Sequence, residues 1–191
     1  MDPRHDSETL IEAALAELAD PKRPYRVLDF GTGTGCLLLA LLSELPNAEG
    51  LGVDCLPGAT ATARRNAAAL GLARRASFVV GDWGAAIQGE WDVIVANPPY
   101  IESMEVARLM PEVVDYEPRA ALDGGADGLD AYRALAPEVV RLGSPGVIVV
   151  VEVGAGQATG VTAIMAEAGL ELRGVRYDLS GVDRCLVLGQ R

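Results

Sequence analysis

The chain has one histidine (His5), one lysine (Lys22) and three cysteines in 191 residues. Each scarcity removes a class of chemistry. Imidazole acid–base catalysis would have to rest on His5, inside the proline-bearing opening Met1-Asp2-Pro3-Arg4-His5-Asp6, and none is expected. Cys36, Cys55 and Cys185 are odd in number, far apart and without a CxxC pair, so they propose neither a disulfide framework nor a zinc site. Cys36 reads as a small structural residue near a helix start. No cluster of His, Cys and carboxylates has metal-ligand spacing, so no metal is expected. Apolar runs are no longer than a strand, which predicts no transmembrane span. The opening lacks the apolar core of a signal peptide, and the expected location is the cytoplasm.

Positive charge is also short. Sixteen Lys and Arg face 27 Asp and Glu, for a net charge of −11 and a pI near 4.5. Nucleic-acid binders neutralise phosphates with basic side chains, so this balance disfavours nucleic acid without excluding it. The pairs Arg64-Arg65 and Arg74-Arg75 flank one helical stretch and read as a solvated face.

Alternating strand and helix patterns fill the chain. A helix over 7–19, capped by Asp6 or Ser7, carries Leu10, Ile11, Ala14, Leu15 and Leu18 on one face before Asp20-Pro21 stops it. Strands are predicted at 26–30, 50–54, 76–80, 91–96 and 147–152, with helices at 35–45, 57–70, 129–142 and 157–168 between them. Two late strands, 172–177 and 184–188, lie close enough to pair antiparallel at an edge. The segment 101–127 is too long for an ordinary connector and reads as a lid or binding loop. No linker or repeat interrupts the pattern, and at 50% hydrophobic the length suits one domain. The predicted fold is α/β: a doubly wound, mostly parallel seven-stranded sheet with an antiparallel edge and helices on both faces.

The most informative four residues are Asn97-Pro98-Pro99-Tyr100. They follow the buried-strand run Val93-Ile94-Val95-Ala96, and two prolines cannot continue a central strand because neither donates to the ladder. The chain must turn out at the carboxyl edge of the sheet, where open α/β sheets bind ligands. There the Asn97 amide and the Pro98 carbonyl are two acceptors that suit a substrate presenting an NH2 group.

Asp29-Phe30-Gly31-Thr32-Gly33-Thr34-Gly35 is a strand end, a glycine turn and a helix start. Dinucleotide sites want G-x-G-x-x-G or a final Ala; here the third glycine comes one residue early. Asp29 sets a carboxylate where a pyrophosphate would be repelled, and an ammonium and sulfonium would fit better. Asp54 ends the second strand, placed to accept from ribose hydroxyls. Gly81-Asp82-Trp83 ends the third, where Asp82 can accept from an adenine amino group and the Trp83 indole can cover the ring. The cofactor so implied is S-adenosyl-L-methionine rather than NAD.

These motifs together resemble those of the class I, Rossmann-like methyltransferases, and within them the release-factor glutamine N5-methyltransferases (HemK/PrmC family). Further stretches carry the resemblance: Pro3-Arg4-His5-Asp6-Ser7-Glu8-Thr9-Leu10 is similar to that family's PRPxTExL opening, departing at His5 and Ser7. Glu117-Pro118-Arg119-Ala120-Ala121-Leu122 with Asp127-Gly128-Leu129-Asp130 is similar to its EPxxAL and DGL segments. Glu152-Val153-Gly154, Gln157 and Asp178-Leu179-Ser180-Gly181-Val182-Asp183-Arg184 resemble its later motifs. Members of that family carry a helical docking domain before the PRPxTE stretch, and this sequence begins at that stretch. It is either an excised catalytic domain or a homologue without the docking module. The resemblance implies that the substrate is the GGQ glutamine of class 1 peptide chain release factors. Asn97 and Pro98 would each accept one N–H of its amide, Pro99 would complete the turn, and Tyr100 would pack beside the flat amide. The same turn serves adenine-N6 DNA and rRNA guanine methyltransferases, so an exocyclic base amine is the alternative acceptor. A small-molecule acceptor or a non-catalytic cofactor-binding module are further readings.

Overall fold

The computed structural model describes residues 5–108, 118–178 and 180–190, with side chains from residue 8 onward. Seven strands form one sheet: β1 (Arg26–Phe30), β2 (Glu49–Asp54), β3 (Ala76–Val80), β4 (Trp91–Ala96), β5 (Gly143–Glu152), β6 (Leu170–Tyr177) and β7 (Asp183–Gln190). Their order is β3-β2-β1-β4-β5-β7-β6. The first five run parallel, and β7 lies antiparallel between β5 and β6. This is the predicted architecture. Structurally, the strand order reverses between β1 and β4, and the crevice at that reversal opens at the strands' carboxyl ends.

Alternation along the buried strands sorts side chains into two layers. Val27, Val93, Val95, Val150 and Val187 pack with α1 (His5–Ala16), α2 (Cys36–Glu44) and α3 (Pro57–Ala69). Leu28, Phe30, Ile94, Val149, Val151 and Leu186 face α5 (Asp130–Leu142) and α6 (Ala158–Glu167), through Tyr132, Leu135, Val139, Val161 and Met165. At about 25 cal/mol per Å2 of apolar surface, each fully buried Leu or Val contributes roughly 1.5–3 kcal/mol.

The departures from expectation are at element ends. Helix α1 already includes Asp6 and Ser7, so neither is its cap. It ends at Ala16, because Glu17 and Leu18 donate three residues back, to Ala14 and Leu15, which tightens the last turn. Gly35 is the left-handed residue before α2 rather than its first turn. Strand β5 starts four residues early, at Gly143, which pairs with Trp91 across an irregularity; Pro145 and Gly146 had read as a turn. Strand β6 starts at Leu170, two residues early. Within 101–127, α4 (Ser103–Val106) and a 3₁₀ turn (Arg119–Ala121) are formed. Residues 109–117 of that segment, with Glu117, lie outside the described residues, as do the opening Met1–Arg4 and Leu179 of the late motif.

Candidate functional site

The glycine turn owes its shape to its composition. Gly31, Gly33 and Gly35 have φ of +67°, +56° and +83°, a region closed to most side chains. Between them, Thr32 donates its backbone N–H to Val53 O at 2.9 Å, and its hydroxyl to Asp29 Oδ2 at 2.6 Å. Gly33 N–H reaches Asp54 Oδ2 at 2.8 Å, and Leu56 N–H reaches Asp54 Oδ1 at 2.8 Å. One carboxylate thus ties the turn to the end of β2 and keeps a lone pair on each oxygen for a ligand. Gly52 makes room for this: a Cβ there would stand 2.6 Å from Thr32 Oγ1 and 2.7 Å from the Phe78 ring.

Asp29 sits under the turn, fully buried, and does not line the crevice. Burial pushes its carboxyl up to about 7, against the lowering effect of the Thr32 hydrogen bond. Its Oδ1 has no hydrogen-bond partner among the described residues. Gly35 also stays behind the wall, against Ala63, Leu39 and Phe78.

The crevice itself is a cavity of about 980 Å3, lined by Gly31, Thr32, Gly33, Thr34, Asp54, Asp82 and Trp83 on one side. Asn97, Pro98, Pro99 and Tyr100 line it on the other. Every sequence-predicted site residue other than Asp29 and Gly35 is brought to it. The two walls nearly touch, since a Cβ on Gly31 would stand 3.9 Å from Asn97 O. Pro98 is buried; Asn97, Pro99 and Tyr100 are half-buried. Trp83 takes φ +44°, an outlying conformation for a bulky residue, and sets its indole edge-on to buried Phe30 at 6.4 Å.

Five carboxylates line the cavity (Asp54, Asp82, Asp123, Asp130 and Glu152), and no basic side chain does among the described residues. That lining repels a phosphate-bearing dinucleotide and suits a cation. The residues present therefore fit S-adenosyl-L-methionine, with its ammonium, sulfonium, ribose and adenine.

Sequence reasoning gave no site role to four residues that the structure brings to the cavity or its edge. Glu152 is 2% exposed and reaches the cavity from the end of β5. The signal was present, because it follows the run Val147-Ile148-Val149-Val150-Val151 as Asp54 follows β2. Buried Tyr132 donates its hydroxyl to Glu152 O at 2.9 Å. Burial and the neighbouring Tyr100 and Glu152 push the Tyr132 phenol well above its usual range, so it stays a donor. Cys36 lines the cavity with its Sγ 2.9 Å from Thr34 Oγ1, rather than serving only as packing. Cys55 is exposed at the cavity wall, its thiol pushed up by partial burial and by Asp54. Among the described residues no group of acids, histidines and cysteines is arranged to hold a metal ion, and no helix is long and apolar enough to cross a membrane.

Fold and crevice together define a class I, Rossmann-like methyltransferase domain. The chain superposes on TrmN from Thermus thermophilus with a TM-score of 0.67 over 97% of this chain and 48% of that one, at 23% identity. Residues 7–126 match the family described as Methyltransferase small domain. The release factor glutamine methyltransferase of Rhodospirillum rubrum is 53% identical over 191 residues, all of this chain and 58% of that protein. That of Moorella thermoacetica is 41% identical over 99% of this chain and 67% of its own length. The chain belongs to the methyltransferase small-domain family and, within it, to the release factor glutamine methyltransferases. It spans about three fifths of the length of the first curated relatives it matches.

Proposed function

We propose that this chain is one catalytic domain that methylates the side-chain amide nitrogen of the GGQ glutamine in class 1 peptide chain release factors, using S-adenosyl-L-methionine. The observation that carries the reading is the meeting of the Asn97-Pro98-Pro99-Tyr100 turn with the glycine turn at the strand-order reversal. Family membership among release factor glutamine methyltransferases supports the acceptor, and a release factor as acceptor would be met in the cytoplasm.

S-adenosyl-L-methionine, when bound, supplies an electrophilic methyl group on sulfur. Asp54 would take the ribose hydroxyls, Asp82 the adenine amino group, and Trp83 the ring face. An amide nitrogen is a poor nucleophile, its lone pair delocalised into the carbonyl. The Asn97 Oδ1 and the Pro98 carbonyl oxygen each accept one of its N–H groups and so fix its orientation. Both acceptors are partial negative charges placed where positive charge grows on nitrogen, which lowers the barrier without reorganisation. Tyr100 packs beside the amide plane and restricts its rotation. The methylated nitrogen is acidic enough to release its proton to water, so no dedicated base is required. Orientation of this kind is worth several kcal/mol by analogy with intramolecular reactions.

The test is transfer of labelled methyl to a purified, unmethylated release factor, read by peptide mass, with DNA and RNA oligonucleotides beside it. A mark on the GGQ glutamine is expected. Label on an exocyclic base amine and none on the protein would replace this reading with the nucleobase alternative.

A further inference from the structure

The acceptor turn has a peculiarity of construction. Pro98 and Pro99 have no N–H, so neither can anchor the turn by donating. Their carbonyls must stay available, one of them for the substrate amide. The turn is therefore held from outside. Ile101 N–H donates to Leu122 O at 3.1 Å, and Gly124 N–H donates back to Ile101 O at 2.8 Å, which pins its far end. Between that anchor and β4, the Tyr100 carbonyl receives Gln157 Nε2 at 2.9 Å.

Gln157 is the residue before α6, on an element that contributes nothing to the cofactor wall. Its Oε1 accepts Gly154 N–H at 3.1 Å, which locks the amide plane and its direction. Its Nε2 also approaches Gly128 O at 3.4 Å. One side chain thus joins the acceptor turn, the Gly124–Leu129 turn and the β5–α6 connection. The surroundings leave no slack. A Cβ on Gly154 would stand 2.7 Å from Gln157 Oε1 and 2.9 Å from Tyr100 Cδ2, and one on Gly128 would stand 2.5 Å from both Gln157 Nε2 and Tyr100 O. Tyr100 is pressed on both sides by positions that only glycine fills.

We infer that Gln157 is a positioning residue for methyl transfer: its donated Tyr100 hydrogen bond sets the height of the Asn97–Tyr100 turn over the cavity, and with it the aim of the acceptor amide. The inference rests on the proposed amide-methylation reading. It separates two properties that a mutation elsewhere in the cavity would disturb together, because Gln157 touches the acceptor wall and not the Asp54–Asp82–Trp83 wall.

Two near-isosteric variants test it in the full chain. Gln157→Met keeps the length and removes the hydrogen bonds. Gln157→Glu keeps an acceptor for Gly154 N–H but sets an oxygen against the Tyr100 and Gly128 carbonyls. A displacement of the turn by about 1 Å is enough for a rate loss on the order of 100-fold. The expected result is kcat for an unmethylated release factor down about 10-fold or more for Gln157→Met and further for Gln157→Glu. Cofactor affinity by calorimetry should stay within about twofold, because Gln157 does not line the cofactor cavity, and the loss should fall on kcat rather than on release-factor KM. The melting temperature identifies any variant that fails to fold; Gln157→Met then carries the test. Wild-type kcat in a folded variant, or a loss confined to cofactor affinity, overturns the inference. An inactive wild-type chain overturns the amide-methylation reading instead, and the inference with it.

Discussion

Asp29 allows a stability prediction with a definite sign. Its carboxyl is fully buried and burial pushes it from an ordinary 3.8 up to about 7. A folded-state pKa above the unfolded one means that the protonated form is favoured by folding. The associated stability is fully present below the unfolded pKa and is lost as pH rises through about 7. At about 1.4 kcal/mol per pH unit, the gap between 3.8 and about 7 corresponds to roughly 4 kcal/mol lost from low to high pH. Asp29→Asn removes this titration while keeping an oxygen to accept from the Thr32 hydroxyl. Denaturant unfolding of the ligand-free protein at several pH values between 5 and 8.5 measures it. The variant should gain on the wild type by about 1.4 kcal/mol per pH unit up to about pH 7 and level off above it. A stability difference independent of pH would show that Asp29 is ionised throughout, and the burial argument would fail.

Asn97→Ala removes one of the two proposed amide acceptors and should lower kcat by about 100-fold or more while cofactor affinity changes less than about threefold; collapse of cofactor binding would make Asn97 a cofactor ligand. Gly52→Ala forces a methyl into Thr32 Oγ1 and Phe78, and should cost about 1–3 kcal/mol in urea unfolding and weaken cofactor binding by distorting the glycine turn. Wild-type stability in that variant would mean the turn can shift freely. Tyr132→Phe leaves the buried Glu152 carbonyl without its 2.9 Å donor and should lower stability by about 1–2 kcal/mol, read as a drop in melting temperature.

Strand positions were legible because Val93–Ala96 and Val147–Val151 are continuously apolar and Val27–Phe30 is broken only by Asp29, and the runs are closed by Asn97-Pro98, Glu152 and Gly31. Those closing residues also line the crevice, so the candidate site was legible for the same reason. What escaped was whatever depended on distance between elements. Asp29 was expected at the ligand, and the packing of Thr32 over it puts it one layer below. Gln157 looked like a motif residue with no task, since its partners Tyr100 and Gly128 are 57 and 29 positions away. The start of β5 was hidden by Pro145 and Gly146, which signal a turn locally while pairing with β4 carries the strand past them.

The place of β7 bears on how the chain is made. Among the described residues strand β6 has its one neighbour in β7, and β5 has its outer neighbour there too, although β7 comes after both in sequence. A nascent chain translated through Tyr177 therefore carries two open ladders, with apolar Val149, Val150 and Val151 along one of them. Completion of the sheet waits for residues 183–190 to clear the ribosome and slot between strands already formed. A message truncated shortly before that point yields a product with every cofactor and acceptor motif intact and an unsealed, aggregation-prone sheet.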